Sequence, residues 1–192
     1  KSIFTVIVLV SVAARAEWAG DPLSWTVEGG RIVCRNMGFA FDKSVQGRSV
    51  SVSARVTPQV CSNAEWSTIG VAIFADSRNY WHLALVKHPE KNGSRHSFEL
   101  GMMLGGAWPA QDGLKCLGKR VDGRWELGRD YDFTLKMDKT GIRGEIVEID
   151  SGERIYSAAY AFTAKASDRG RPALHVTGDF RGEFSRIRQS VG

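Results

Sequence analysis

The stretch "SVSVSARV" (residues 49–56) alternates polar and apolar side chains at every step. Successive side chains of a β-strand point to opposite faces, so this period of two is typical of a strand with one buried face and one face in water. The stretch therefore predicts a half-buried strand. The apolar members are Val50, Val52, Ala54 and Val56.

The same period recurs along the chain, and turn residues separate the segments. A hairpin is predicted where Asp138 to Gly141 joins "YDFTLKMD" to "GIRGEIVEI". No amphipathic run of helical period reaches about ten residues. Many short strands without alternating helices predict an all-β chain, either an antiparallel two-sheet β-sandwich or a barrel, and we favour the sandwich. Further predicted strands are "STIGVAIFA" (67–75), "YWHLALV" (80–86) and "RHSFELGMML" (95–104).

Length and composition indicate one globular domain. A single core can grow to 192 residues without splitting, and 43% hydrophobic with 24% charged residues is ordinary for a globular protein. The net charge is +5, but the lysines and arginines are dispersed along the chain. Nucleic-acid-binding proteins usually concentrate basic residues on one face, so no nucleic-acid partner is predicted.

The segment "KSIFTVIVLVSVAARA" (residues 1–16) differs in character from the rest. A basic start, a short apolar run and a small-x-small end predict a signal peptide that ends at Ala16, which leaves residues 17–192 as a single β-sandwich domain. A buried first strand is the alternative interpretation. The apolar run is too short to span a bilayer, so no integral membrane segment is predicted. The expected location is outside the cell or in the envelope or periplasm.

The chain has three cysteines, Cys34, Cys61 and Cys116. In an exported protein two of them could pair and leave one free, but the spacing does not choose the pair. No two lie in a C-x-x-C spacing and no histidine is adjacent to them, which argues against zinc.

Three stretches resemble a known superfamily. They are "WTVEGGRIV" (25–33), "LGRDYDFTLKMDKTGIRGEIVEIDSG" (127–152) and "GRPALHVTGDFRGEFSRIRQ" (170–189). Together they resemble the concanavalin A-like lectin/glucanase superfamily, and within it laminin-G-like domains and bacterial 3-keto-glycoside hydrolase-type domains. The resemblance implies a jelly-roll sandwich whose concave sheet commonly receives a carbohydrate. It does not imply a reaction, because function depends on the site.

Two strands supply a candidate binding face. If the aliphatic residues of strand 80–86 point into the core, Tyr80 and His82 point out of the same sheet, and the next strand adds Arg95 and Glu99 to that face. Aromatic rings can pack on a sugar, and polar groups can bond its hydroxyls. The alternative is an ordinary solvated face on which Tyr80 and His82 serve cross-strand packing.

Trp108 is a second candidate for ligand binding. It lies in "GGAWPAQDG" (105–113), a segment too polar for the core. Its ring could stack on a sugar or cap the sandwich edge. Trp66, in "SNAEWSTIG" (62–70), supports a weaker version of the same argument.

A glycoside hydrolase generally needs two carboxyl groups. Glucanases of the superfamily often carry E-x-D-x-x-E, and Glu148, Asp150 and Glu153 match that spacing. However, Ser151-Gly152 is typical of a turn, which would separate the acids, so we interpret this match as a coincidence. Glu99 is then the expected acid or base if the protein is an enzyme, and no spacing supports a partner for it.

The sequence therefore supports three hypotheses of function. The favoured one is a carbohydrate-binding protein that uses Tyr80, His82, Arg95, Glu99 and Trp108, with a polysaccharide or oligosaccharide as its partner. The others are a glycoside hydrolase of the 3-keto-glycoside or glucanase kind and an envelope-associated protein-interaction domain. No cofactor is predicted, although loop oxygens could hold a structural calcium ion. The candidate calcium ligands are Asp76, Asn79 and Asp112.

Overall fold

The computed structural model describes residues 18–21, 23–62, 65–93 and 95–192, and the predicted signal peptide lies outside these residues. The described residues form fourteen strands and two short 3₁₀ turns, Glu90–Asn92 and Ala110–Gly113. In chain order the strands are β1 (Trp18–Ala19), β2 (Trp25–Glu28), β3 (Arg31–Cys34), β4 (Gly38–Asp42), β5 (Val50–Val60), β6 (Ser67–Asp76), β7 (Asn79–Lys87), β8 (His96–Met103), β9 (Lys115–Val121), β10 (Tyr131–Met137), β11 (Gly141–Glu148), β12 (Arg154–Ala161), β13 (Arg171–Thr177) and β14 (Arg181–Val191).

The strands of the described residues form two sheets. One has six strands in the order β1-β4-β13-β6-β7-β8, and the other has eight in the order β2-β3-β14-β5-β10-β11-β12-β9. Neighbouring strands run antiparallel in both sheets. The predicted all-β, antiparallel two-sheet β-sandwich is therefore confirmed.

The core lies between the two sheets. On β5 the four apolar residues of the alternating stretch are buried, whereas Ser51, Ser53 and Arg55 between them are only partly covered. The adjacent β10 adds Tyr131 and Phe133, both fully buried. Burial of apolar surface contributes about 25 cal/mol for each Å², so these inward rows are the main stabilising contribution to the sandwich.

The six-stranded sheet is buried on both of its faces around β7. Trp81 and Leu83 lie in the core between the sheets, as expected. Tyr80 and His82 point to the opposite face, yet only 7% and 2% of their surfaces are exposed. The expectation that this face is open at these two residues is wrong, because rings from neighbouring elements pack over it.

Trp125, in the segment between β9 and β10, packs against the six-stranded sheet and is hydrogen-bonded to it. Its ring is fully buried and stacks on His96, with 3.8 Å between the ring centroids. Its indole Nε1 donates hydrogen bonds to the carbonyl oxygens of Ser97, at 3.0 Å, and Val86, at 3.2 Å. One side chain thus contacts the end of β7 and the start of β8 together.

The three cysteines are free thiols, so the structure pairs none of them. Burial raises the pKa of the Cys34 thiol to about 12. The thiolate is the reactive form of cysteine, so Cys34 is expected to be inert at neutral pH.

No helix in the described part of the chain is both long enough and apolar enough to cross a membrane.

Trp125→Phe should lower the free energy of unfolding by about 1 to 3 kcal/mol, because the phenyl ring keeps much of the packing but leaves two buried carbonyl groups without their donor. Urea denaturation followed by far-ultraviolet circular dichroism measures the change. Leu127→Ala is the matched control, since Leu127 lies in the same segment and 45% of its surface is exposed. Equal stability of the two variants would contradict the anchoring role.

Candidate functional site

A cleft of about 690 Å³ lies over the outer face of β7 and β8. Thr68 of β6 and Thr177 of β13 line it on one side. It continues past the edge strand β8 to Tyr156 of β12 and Lys119 of β9, and the segment between β8 and β9 adds Trp108. The volume falls within the range of about 300 to 1,000 Å³ that is usual for small-molecule sites.

Small residues on β6 lie between two histidines that line this cleft. His175 of β13 and His82 of β7 are separated by β6, where their register partners are Gly70 and Ala72. The two imidazoles meet above β6, with 3.1 Å between their Nδ1 atoms. A β-carbon at Gly70 would lie 2.0 Å from the carbonyl oxygen of Leu83, so this position has no room for a side chain.

Gly101 on β8 has a similar role beside Glu99. Gly101 is the register partner of His82, and a β-carbon there would lie 2.6 Å from Oε1 of Glu99. Oε2 of Glu99 lies 3.7 Å from Nε2 of His82, which is longer than a hydrogen bond but close enough for an electrostatic interaction. Glu99, His82 and His175 therefore form a continuous row across the sheet.

The row combines a charged and a neutral member. Burial raises the pKa of Glu99, but its contact with His82 and the charge of Lys119 outweigh burial and hold that pKa below its usual value. Burial, followed by the charge of His82, holds the pKa of His175 well below its usual value. At neutral pH Glu99 is a carboxylate and His175 a neutral imidazole.

The two histidines leave polar atoms without partners. In the Nδ1–Nδ1 hydrogen bond one ring donates and the other accepts, because His175 is neutral and carries a single ring proton. Nε2 of His82 and Nε2 of His175 are both buried, and neither has a hydrogen-bond partner among the described residues. The row is therefore not fully satisfied by the protein itself.

Aromatic rings surround the row. The Tyr80 ring lies 4.9 Å from Phe39 and 5.3 Å from His175, measured between centroids. Trp108 approaches His82 edge-to-face, with 4.9 Å between centroids, and 40% of its surface remains exposed. Trp108 thus covers part of the row and still presents indole surface to solvent, so it does more than cap the sandwich edge.

The structure brings four of the five predicted site residues together. Tyr80, His82, Glu99 and Trp108 all line the cleft. Arg95 does not line it in the described part of the chain: it precedes β8 and its side chain is exposed. Arg95 stands one residue before β8, so the regular alternation that orients Glu99 does not extend to it.

Sequence reasoning missed His175 and Lys119. His175 lies in a mostly apolar strand, which by itself favours a core position. The alternation in "PALHVT" (172–177) predicts that His175 and Leu174 point to opposite faces of the sheet. However, only the spatial order of the strands brings β13 within reach of β7. Lys119 comes from the edge strand of the other sheet, and no local pattern indicated that contact.

Two of the candidate calcium ligands, Asp76 and Asn79, are hydrogen-bonded to each other, and the third, Asp112, lies in a different segment. Oδ1 of Asp76 accepts hydrogen bonds from the backbone N–H of Arg78 and from Nδ2 of Asn79, within the β6–β7 turn. Asp112 is exposed in the second 3₁₀ turn. Among the described residues no group of three or more histidine, cysteine, aspartate or glutamate side chains could hold a metal ion.

The acids with glucanase-like spacing lie around a turn. Glu148 ends β11, Asp150 lies in the turn and Glu153 precedes β12. Glu148 belongs to the eight-stranded sheet, whereas β7 and β8 under the cleft belong to the six-stranded sheet. Oε1 of Glu148 accepts a hydrogen bond of 2.8 Å from Arg129. These acids do not line the cleft.

Comparison with known proteins identifies the fold. No protein-family model and no curated protein matches this chain. Among solved structures, a xylan β-1,4-xylosidase from Bacillus halodurans C-125 is similar, with a TM-score of 0.60 and 12% identity over 89% of this chain and 35% of the xylosidase. A candidate glycosyl hydrolase from Parabacteroides distasonis ATCC 8503 has a TM-score of 0.58 and 14% identity, over 91% of this chain and 93% of that protein. Scytalido-glutamic peptidase has a TM-score of 0.53 and 12% identity, over 82% of this chain and 81% of the peptidase.

The chain has the concanavalin A-like β-sandwich fold, as the resemblance implied. It spans about a third of the length of the xylosidase. Enzymes named for different chemistries share this architecture, so the fold alone does not determine an activity.

Stability should fall with acidification partly through His175. Its pKa is below 6.5 in the folded chain and near 6.5 when unfolded, so the unfolded state binds the extra proton and stability is lost as the pH falls below about 6.5. His175→Phe should reduce that loss by up to about 1.4 kcal/mol for each pH unit. Urea denaturation at pH 7.5 and at pH 5.5 measures the two slopes, roughly one unit either side of 6.5.

The range above pH 7.5 serves as the internal control. His175 is then neutral in both the folded and the unfolded chain, so the stabilities of the wild-type protein and of His175→Phe should change in parallel. Equal loss of stability by both proteins on acidification would show that His175 is not held neutral by the fold.

Proposed function

We propose that this protein binds a carbohydrate in the cleft, with Trp108 and Glu99 as its first contacts. The half-exposed indole of Trp108 beside the ionised carboxylate of Glu99 is the observation that carries the proposal. The C–H face of a sugar ring packs on an aromatic ring, and a carboxylate accepts hydrogen bonds from sugar hydroxyls. Both contacts are available within one cleft.

The comparisons support the choice of ligand class. The xylosidase and the candidate glycosyl hydrolase, with TM-scores of 0.60 and 0.58, are both named as glycoside-cleaving enzymes. They share only about one residue in eight with this chain, so they support a carbohydrate ligand without indicating which sugar.

Binding is favoured over hydrolysis because of the carboxyl groups. Among the described residues that line the cleft, Glu99 is the one carboxylate. Glu145 points instead to Arg154, 3.2 Å away, and Asp112 does not line the cleft. A glycosidase of the usual kind needs a second carboxyl group within about 10 Å, and its general acid needs a raised pKa, whereas the pKa of Glu99 is lowered.

The expected location belongs to the same proposal. A signal peptide at residues 1–16 would place the binding domain outside the cell or in the envelope, where polysaccharides are exposed. This part depends only on the sequence pattern of those residues.

Trp108→Ala and Glu99→Gln should each weaken carbohydrate binding about tenfold or more, because each removes a contact of about 1 to 3 kcal/mol. Affinity electrophoresis of the wild-type protein through gels containing different polysaccharides identifies a ligand, and isothermal titration calorimetry then measures the dissociation constants. Glu145→Gln is the matched control for the acid, and Val27→Ala is the control for an exposed apolar residue, since neither lines the cleft.

Staining the same gels for loss of polymer separates binding from hydrolysis. Retarded protein with intact polymer supports the proposal. A cleared zone that disappears with Glu99→Gln would replace it with the hydrolase hypothesis. Free migration of the wild-type protein in every gel would contradict a polysaccharide ligand.

A further inference from the structure

The cleft has a second half-exposed indole at its other end. Trp66 immediately precedes β6, lines the cleft, and has 50% of its surface exposed. Its ring lies 4.2 Å from the ring of His88, measured between centroids. An exposed tryptophan beside a histidine thus occurs at both ends, since Trp108 lies edge-to-face against His82.

Polar atoms surround Trp66. Nε2 of His88 lies 2.7 Å from Oγ of Ser97, and Nδ1 of His88 is buried without a hydrogen-bond partner among the described residues. The hydroxyls of Thr68 and Thr177 lie 2.8 Å apart. All four of these polar residues line the cleft, so hydroxyl and imidazole groups are available beside the indole.

The distance between the two ends exceeds one sugar ring. His82 lies within β7 and His88 follows its last residue, so six steps of extended chain separate them. At about 3.3 Å for each residue, the separation is about 20 Å. Val86 and Ser97 line the cleft between the ends, so the same cleft connects them. A single monosaccharide cannot contact both indoles.

We propose that Trp66 forms a second sugar subsite and that the ligand is a linear glycan whose successive units lie along β7 from Trp108 to Trp66. This inference rests on the proposed carbohydrate-binding function and specifies the form of the ligand. An internal stretch of a chain fits such a cleft, whereas a monosaccharide or a short chain end would fill only the Trp108 end. Binding strength should therefore depend on chain length until both indoles are covered.

The test measures dissociation constants by isothermal titration calorimetry for oligosaccharides from the disaccharide to the hexasaccharide, taken from the polysaccharide that the wild-type protein binds. The wild-type affinity should rise about tenfold or more with length. Trp66→Ala should remove that rise and leave the disaccharide affinity unchanged. Trp108→Ala should weaken binding at every length.

Trp66→Phe is the matched variant, because it keeps an aromatic face and should retain most of the length dependence. Val27→Ala should retain all of it. A thermal melt of each variant verifies that the chain is folded. Trp66→Leu, which keeps apolar volume but has no aromatic face, carries the test if Trp66→Ala does not fold, because it too should lose the length dependence.

Two results would overturn the inference. One is equal wild-type affinity for the disaccharide and the hexasaccharide, and the other is unchanged hexasaccharide affinity in the folded Trp66→Ala protein. Either result leaves the carbohydrate-binding function intact. Failure of the wild-type protein to bind any glycan overturns the proposed function itself, and this inference with it.

Discussion

The contact between His82 and His175, 3.1 Å between their Nδ1 atoms, passes over β6 because Gly70 and Ala72 leave the space above that strand open. Rings on two strands separated by a third cannot normally meet, since neighbouring strands lie about 4.8 Å apart. A side chain at position 70 would clash with the backbone of β7 at Leu83 and so disturb the strand that carries His82. Gly101 of β8 has a comparable constraint, because a β-carbon there would lie 2.6 Å from Oε1 of Glu99, so both strands that flank β7 need a glycine beside the row.

This arrangement costs stability. A buried polar atom without a partner costs about 1 to 3 kcal/mol, and the row leaves Nε2 of His175 in that state among the described residues, whereas Nε2 of His82 has only its 3.7 Å contact with Glu99. Apolar residues at the two positions would stack on Phe39 and Tyr80 without that cost. Departures from the usual satisfaction of buried polar groups are expected chiefly at functional sites. The proposed binding function accounts for the presence of polar residues at these two positions.

The sequence predicted the architecture because the alternation on strands such as β5 follows directly from which face is buried. The same rule placed Tyr80, His82 and Glu99 on one face. It could not place His175 beside them, because strand order is set by long-range pairing and β13 reaches the site only by pairing with β6. It also could not show that Tyr80 and His82 are covered, since that cover comes from Phe39 and from the loop that carries Trp108.

The electrostatics of the cleft determine which chemistry it can support. Glu99 is held ionised by His82 and Lys119 although burial opposes its charge, so it accepts hydrogen bonds and is a poor proton donor near neutral pH. A bound sugar would donate hydroxyl protons to this carboxylate while its apolar face packed on Trp108. Hydrolysis would also require a group that protonates the leaving oxygen. Under the proposed function, Glu99 therefore acts as an acceptor for sugar hydroxyls rather than as the proton donor that hydrolysis requires.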